Sequence, residues 1–200
     1  MTAPVGLDVS SANLKRWIQE NNLEMLEGVV FEGYGSRLKE KAQYFTDDRS
    51  VDSSLYIEEM VPKMMNKIRV IHAAVSCGDL LGLQDSLDEK NDYVTAKDHL
   101  GMAPIHKATI MGHIDVVEYI LDKYPDTVNC RDKEGRTALH YSAATTNRNG
   151  SKIYKMLIRA GADPRIRDSV SYLRFLLYFY TIYINIKLVT CLYQIISYYS

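Results

Sequence analysis

The sequence predicts an all-α fold, a solenoid of repeated helical units preceded by a helical N-terminal region. Three observations point to it. His72, His106 and His140 follow one another at intervals of 34 residues. Their surroundings shift with them: Ile71, Ile105 and Leu139 stand just before the histidines, Ala74, Ala108 and Ser142 stand two residues after, and Gly78-Asp79-Leu80 aligns with Gly112-His113-Ile114. Behind each glycine lies a second apolar run, of which Val116, Val117, Ile120 and Leu121 are the clearest example. A period near 33 residues that carries its apolar pattern with it marks a solenoid, in which each unit buries its apolar face only against its neighbours.

Residues 11–33 read as two short helices, with Leu14, Trp17 and Ile18 on one face and Leu23, Leu26, Val29 and Val30 on another at helical spacing. Residues 21–30 can be laid on residues 112–121, leucine on isoleucine, acid on acid, apolar pair on apolar pair. That fits either a degenerate repeat capping the stack or an unrelated helical hairpin. Gly33-Tyr34-Gly35 closes this element, and the mixed charges of residues 36–52 read as a solvated linker or a loosely held helix. Asp52, Ser53 and Ser54 offer N-caps to a following helix, with Glu58 and Glu59 near its positive end. Leu55, Met60, Met64 and Ile68 supply its apolar side. The chain thus divides into an N-terminal helical region (1–67), the repeats (68–168) and a tail (169–200).

Within the repeats, Pro104 fits a first helical position, where its missing N–H costs nothing, and Thr137 fits an N-cap whose hydroxyl accepts from an early helix N–H. Second helices are expected over 80–87, 114–121 and 152–158, with a polar insertion at residues 145–151 that reads as a tolerated loop insertion or as a mobile edge open to a partner, the former favoured.

The signature around these histidines is more specific than a period. Gly101-Met102-Ala103-Pro104-Ile105-His106, Gly135-Arg136-Thr137-Ala138-Leu139-His140, Gly112-His113 and the closing Ala160-Gly161-Ala162-Asp163-Pro164 resemble the ankyrin repeat. Its pattern runs glycine, any residue, Thr-Pro-Leu-His, Ala-Ala, Gly-His and a second apolar run. The resemblance covers residues 68–168, about three repeats. Ala103 replaces the threonine, Ala138 replaces the proline, and Arg69-Val70-Ile71-His72 keeps only the end of the signature.

That resemblance implies helix–turn–helix units joined by short hairpin loops, with the repeated histidines tying turn to helix by hydrogen bonds. It also implies an intracellular, cytoplasmic scaffold or adaptor that binds a protein partner and is not an enzyme. The partner surface it implies comprises the hairpin tips, Lys97, His99, Leu100, Met102, Arg131, Lys133, Glu134 and Arg136, and the exposed side of the inner helices, Lys107, Ile110, Met111 and Tyr141. Their mixed basic, acidic and apolar chemistry suits a protein surface better than a phosphate backbone.

Composition narrows the rest. A net charge of −1 gives no general attraction to nucleic acid or anionic lipid. Cys77, Cys130 and Cys191 are odd in number and far apart, which fits neither a disulfide framework nor a metal site. The first residues lack the basic-then-apolar order of a secretory signal, so a reducing compartment is expected. There is no glycine-flanked serine, phosphate loop or His-Glu-x-x-His, and no cofactor or metal is expected. Asp98, Asp132 and Asp168, spaced by 34 and 36, read as turn formers.

The tail differs from everything before it. Residues 169–200 hold seven of the fifteen tyrosines, no acid, no glycine and no proline, and Arg174 and Lys187 are their only cations. Residues 172–196 have the roughly 20-residue length of a bilayer span. Asn185 and Lys187 sit near the middle, where a lysine costs about 2.5–3.5 kcal/mol. Three readings follow. The tail anchors a cytoplasmic repeat domain to a membrane, as in a channel or an acyltransferase; the chain is a truncated fragment of a longer ankyrin-repeat protein; or the tail is an alternative or misread terminus, which the abrupt change of composition favours.

Overall fold

The computed structural model describes residues 7–44, 51–87, 91–144 and 149–168, and no strand occurs among them. The tail and its three readings lie outside the described residues, as does most of the insertion at 145–151. The N-terminal unit consists of α1 (Ser11–Gln19), α2 (Leu23–Val29), a wide turn (Val30–Tyr34) and α3 (Gly35–Ala42). Next, α4 (Val51–Leu55) runs through a second wide turn (Tyr56–Met60) into α5 (Val61–Cys77). The repeats pair α5 with α6 (Leu80–Ser86), α7 (Pro104–Met111) with α8 (Ile114–Lys123), and α9 (Ala138–Ala144) with α10 (Gly150–Arg159).

Local chemistry sets these boundaries. Ser10 Oγ accepts from Asn13 N–H at 3.3 Å to start α1, and Asn22 Oδ1 accepts from Met25 N–H at 3.1 Å to start α2. In the repeats Pro104 opens α7 as expected, and Gly78 and Gly112 end the inner helices in the left-handed conformation. The wide turn before α5 has its own cause. Pro62 has no N–H to give, and its ring would collide with a carbonyl four residues back in a regular α-helix. The chain answers with a π-type turn, in which Val61 N–H reaches back five residues to Tyr56 O.

The charged stretch after Gly33 is not all linker. α3 buries Leu38 and Ala42 while Arg37, Lys39 and Glu40 face water. The apolar side expected on the next helix also needs correcting. Leu55 and Met60 are 55% and 44% exposed, and the buried stripe runs through Ser53, Ile57, Val61, Met64, Ile68, Ile71 and Val75, each three or four residues after the last. Side-chain size misleads here, because a serine holds one position of the stripe. Ser53 sits inside α4 rather than at its cap, and its Oγ donates to Ile18 O at 3.0 Å.

The stripe on α5 serves two cores. Its first half joins Leu14, Trp17, Ile18, Leu26, Val29 and Leu38 in the N-terminal core. Its second half, Ile71 and Val75, joins Leu83, Ile105, Val117, Ile120, Leu139, Ile153 and Leu157 in the core of the repeats. Each such side chain contributes roughly 1.5–3 kcal/mol on full burial. The first repeat therefore has no independent inner helix; it borrows the end of α5.

The N-terminal unit meets the first hairpin tip at a backbone-to-backbone approach. Gly33 has φ +84°, and a Cβ there would lie 2.2 Å from Asp98 O. Both the left-handed conformation and the contact require glycine. Gly33→Ala should lower stability by about 1–3 kcal/mol, read as a fall in Tm, whereas Ser36→Ala on the exposed start of α3 should leave Tm nearly unchanged.

Candidate partner-binding face

Each loop between repeats is built by an aspartate. Asp98 Oδ1 accepts from the N–H groups of Leu100 and Met102 at 2.9 and 3.0 Å, and Asp132 Oδ1 accepts from those of Glu134 and Arg136 at 2.9 and 2.8 Å. The second carboxylate oxygen reaches the inner helix that follows. Asp98 Oδ2 pairs with Lys107 Nζ at 2.8 Å; Asp132 Oδ2 accepts from Tyr141 OH and from Arg136 Nε, the latter at 2.9 Å. Lys107 and Tyr141 stand one period apart, so two different side chains do the same job. These donors hold both carboxyls below the usual carboxylate range against the opposing pull of burial.

The histidines fasten the repeats together. His106 Nδ1 accepts from Ala103 N–H at 3.0 Å, and its Nε2 meets Cys130 O at 2.9 Å, in the loop that opens the next unit. A fixed donor on one side and a fixed acceptor on the other set the neutral tautomer with the proton on Nε2. His140 repeats the arrangement: Nδ1 takes Thr137 N–H at 3.1 Å, and a further hydrogen bond joins the ring to the Ile166 backbone. Thr137 Oγ1 lies 2.9 Å from the same nitrogen, so the hydroxyl donates to the imidazole instead of accepting from a helix N–H as expected. His72 Nε2 meets Ala96 O at 2.9 Å, but its buried Nδ1 has no partner. The reason is the continuity of α5: Arg69, which stands where Ala103 stands one unit later, lies inside the helix and spends its N–H there.

Ties also run backwards along the stack. His113 Nε2 meets Ser76 O at 3.0 Å, and Asn149 Nδ2 donates to Gly112 O at 2.8 Å. Among the described residues no cluster of His, Cys, Asp and Glu could hold a metal ion. Burial pushes the Cys130 thiol up, the opposite of nucleophile activation.

The twelve residues expected at the partner surface divide into two groups. His99, Leu100, Met111, Arg131 and Lys133 are exposed. The other seven are partly buried, and five of these, Lys97, Lys107, Glu134, Arg136 and Tyr141, are engaged within the molecule. Lys97 pairs with Glu32 at 2.7 Å, Lys107 with Asp98, and Arg136 with Asp132 and with Glu134 at 2.7 Å, while lying 4.9 Å over the Tyr141 ring. Exposed Lys133 is also tied, with Nζ 3.0 Å from His99 O and 4.4 Å over the Tyr34 ring. The N-terminal unit thus covers one side of the first tip, since Lys97 N–H also donates to Phe31 O at 2.7 Å.

Beside that tip lies a groove of about 470 Å³, lined by Val30, Met65, Ile68, Arg69, His72, Ala73, Lys97 and Lys107 among others. Sequence reasoning named its two lysines but missed its α5 wall. The signal was present: one period before Lys107 is Ala73, at the same exposed inner-helix position.

An all-α solenoid with turn-forming aspartates and a histidine ladder is a repeat scaffold. Residues 71–168 match the family of ankyrin repeats in three copies, and this part of the chain is an ankyrin-repeat domain, a protein-interaction module. The chain is 32% identical over 105 residues to the transient receptor potential cation channel subfamily A member 1 of Drosophila melanogaster, covering 50% of this chain and 8% of that protein. It is 35% identical over 99 residues to the diacylglycerol kinase iota of Mus musculus, covering 48% and 9%. It is 30% identical over 89 residues to the 26S proteasome non-ATPase regulatory subunit 10 of Dictyostelium discoideum, covering 44% and 37%. The matches span well under half the length of these relatives. Among the described residues no helix is long and apolar enough to cross a membrane.

Two outcomes test the site. Burial holds the His106 imidazole down at about 4, against 6.5 in the unfolded chain. The unfolded state therefore binds the proton first, and stability present above pH 6.5 is lost as pH falls toward 4. His72 and His140 are lowered by burial too and add with the same sign. Urea midpoints should fall over that window in the wild type and fall less in His106→Gln. Separately, Arg136→Ala should destabilise by about 1 kcal/mol through the lost Asp132 contact, whereas Arg131→Ala should leave the urea midpoint in place.

Proposed function

We propose that the chain is an intracellular adaptor that binds one protein partner along the concave face formed by its hairpin tips and inner helices. The observation that supports this most is the run of exposed side chains of mixed chemistry on that face, His99, Leu100, Met111 and Arg131, held on loops that Asp98 and Asp132 fold by accepting from their backbone N–H groups. Lys107, Arg136 and Tyr141 support the frame; the contact set is the exposed remainder together with the outward side of Lys133. Cys77 is exposed and unbridged, and Cys130 is unbridged as well, which fits a reducing cytoplasm. The three relatives perform unrelated tasks, so the partner belongs to this chain's own surface chemistry.

The test is affinity capture from a native lysate with the full chain and two variants. His99→Ala with Leu100→Ala and Arg131→Ala should reduce capture of the partner at least tenfold while helical circular dichroism and Tm stay at wild-type values. Capture that survives this triple change, and is lost only on altering the outer face of α8, would place the contact elsewhere.

A further inference from the structure

The groove at the N-terminal end of the concave face has the composition of a site for a particular kind of peptide. It lies where three parts of the chain converge: the turn and helix around Val30, Gly33 and Gly35, the exposed side of α5, and the first tip at Lys97, Asp98 and His99. Its apolar surface comes from Val30, Met65 and Ile68. The volume of about 470 Å³ falls in the range of pockets that enclose a ligand or a large side chain, roughly 300–1,000 Å³. The groove also continues past Ala73 to Lys107, so a chain entering it can run on along the inner helices.

Its charge is one-sided. Arg69, Lys97 and Lys107 line it against a single carboxylate, Asp98. Asp98 spends one oxygen on the Leu100 and Met102 N–H groups and the other on Lys107, and Lys97 is met by Glu32 from outside the groove. Arg69 differs, because its Nη2 bonds the neutral Asn66 side chain at 2.7 Å. The groove therefore offers an apolar cleft with a guanidinium at its edge, matched to a carboxylate beside an apolar side chain.

We propose that this groove receives an extended peptide segment of the partner that carries a large apolar side chain next to an aspartate or glutamate, the apolar side chain seated on Met65 and Ile68 and the acid paired with Arg69. The proposal rests on the protein-binding reading of the concave face and narrows it to one end of that face and one peptide chemistry. The N-terminal unit is what makes the site, since without Val30 and Gly35 the groove has no end wall.

A phage-displayed library of random heptapeptides, selected on the immobilised full chain, tests it. Selected peptides should pair an aromatic or long aliphatic residue with Asp or Glu within two positions. A synthetic peptide of the selected sequence should bind at least tenfold more weakly to Arg69→Glu and to Ala73→Phe, which fills the groove from an exposed helix position, and should bind Lys152→Ala, exposed on α10 away from the groove, as it binds wild type. Circular dichroism of each variant guards against misfolding, and the lysine-for-acid twin of the peptide should not bind. Selection of peptides without acids, or no selection at all, overturns the proposal. Binding that survives both groove variants but is lost in Arg131→Ala overturns it while leaving the concave-face reading intact. Dodecanoate binding in preference to every selected peptide would mark a lipid pocket instead and would also overturn it.

Discussion

A neutral imidazole held between two backbone groups is the interaction on which the repeat stack depends. In His106 one ring nitrogen accepts from the N–H at the start of its own helix, and the other meets the carbonyl that begins the next loop. One side chain therefore satisfies a helix-start donor that has no intrahelical partner and fixes the distance to the following unit. It works only because burial keeps the ring uncharged; a second proton would turn the acceptor into a donor facing a donor. The aspartates of the loops are the charged counterpart. Each folds its own turn with one oxygen and reaches the following helix with the other, so loop and helix move as one piece.

The N-terminal unit is joined to this stack in two ways. Along the chain, α5 carries one stripe whose ends belong to different cores. Across space, Gly33, Glu32 and Tyr34 close on the first two tips. The first histidine shows what this junction costs: by making α5 continuous, the chain removes the free N–H that His72 Nδ1 would otherwise accept, and a buried acceptor goes without a partner. Continuity of the helix and completeness of the histidine ladder compete at this position, and continuity prevails.

Much of the repeat region was legible because a period reports packing directly. His106, Gly112, Pro104 and the buried Val117 and Ile120 occupy the roles their spacing predicts. The N-terminal unit was harder to read, because its buried stripe passes through Ser53 while Leu55 and Met60 face water, so residue size and burial disagree. The candidate face was legible only in outline. Sequence position identifies Lys107, Arg136 and Tyr141 as outward-facing, but their partners Asp98 and Asp132 are set by how each loop closes, which no spacing records. Nor does any local pattern show that Glu32 and Tyr34 reach the tips, since those contacts join residues 65 and about 100 positions apart.

A solenoid with simple ends loses order from either of them, because its terminal units have a neighbour on one side only. Here the shared helix removes one of those starting points. Peeling the first repeat away would mean breaking the 17-residue α5 or opening the N-terminal core with it. Loss of order therefore does not start at the first repeat on its own: the groove beside Arg69 keeps its shape for as long as α5 and the N-terminal core stay folded together.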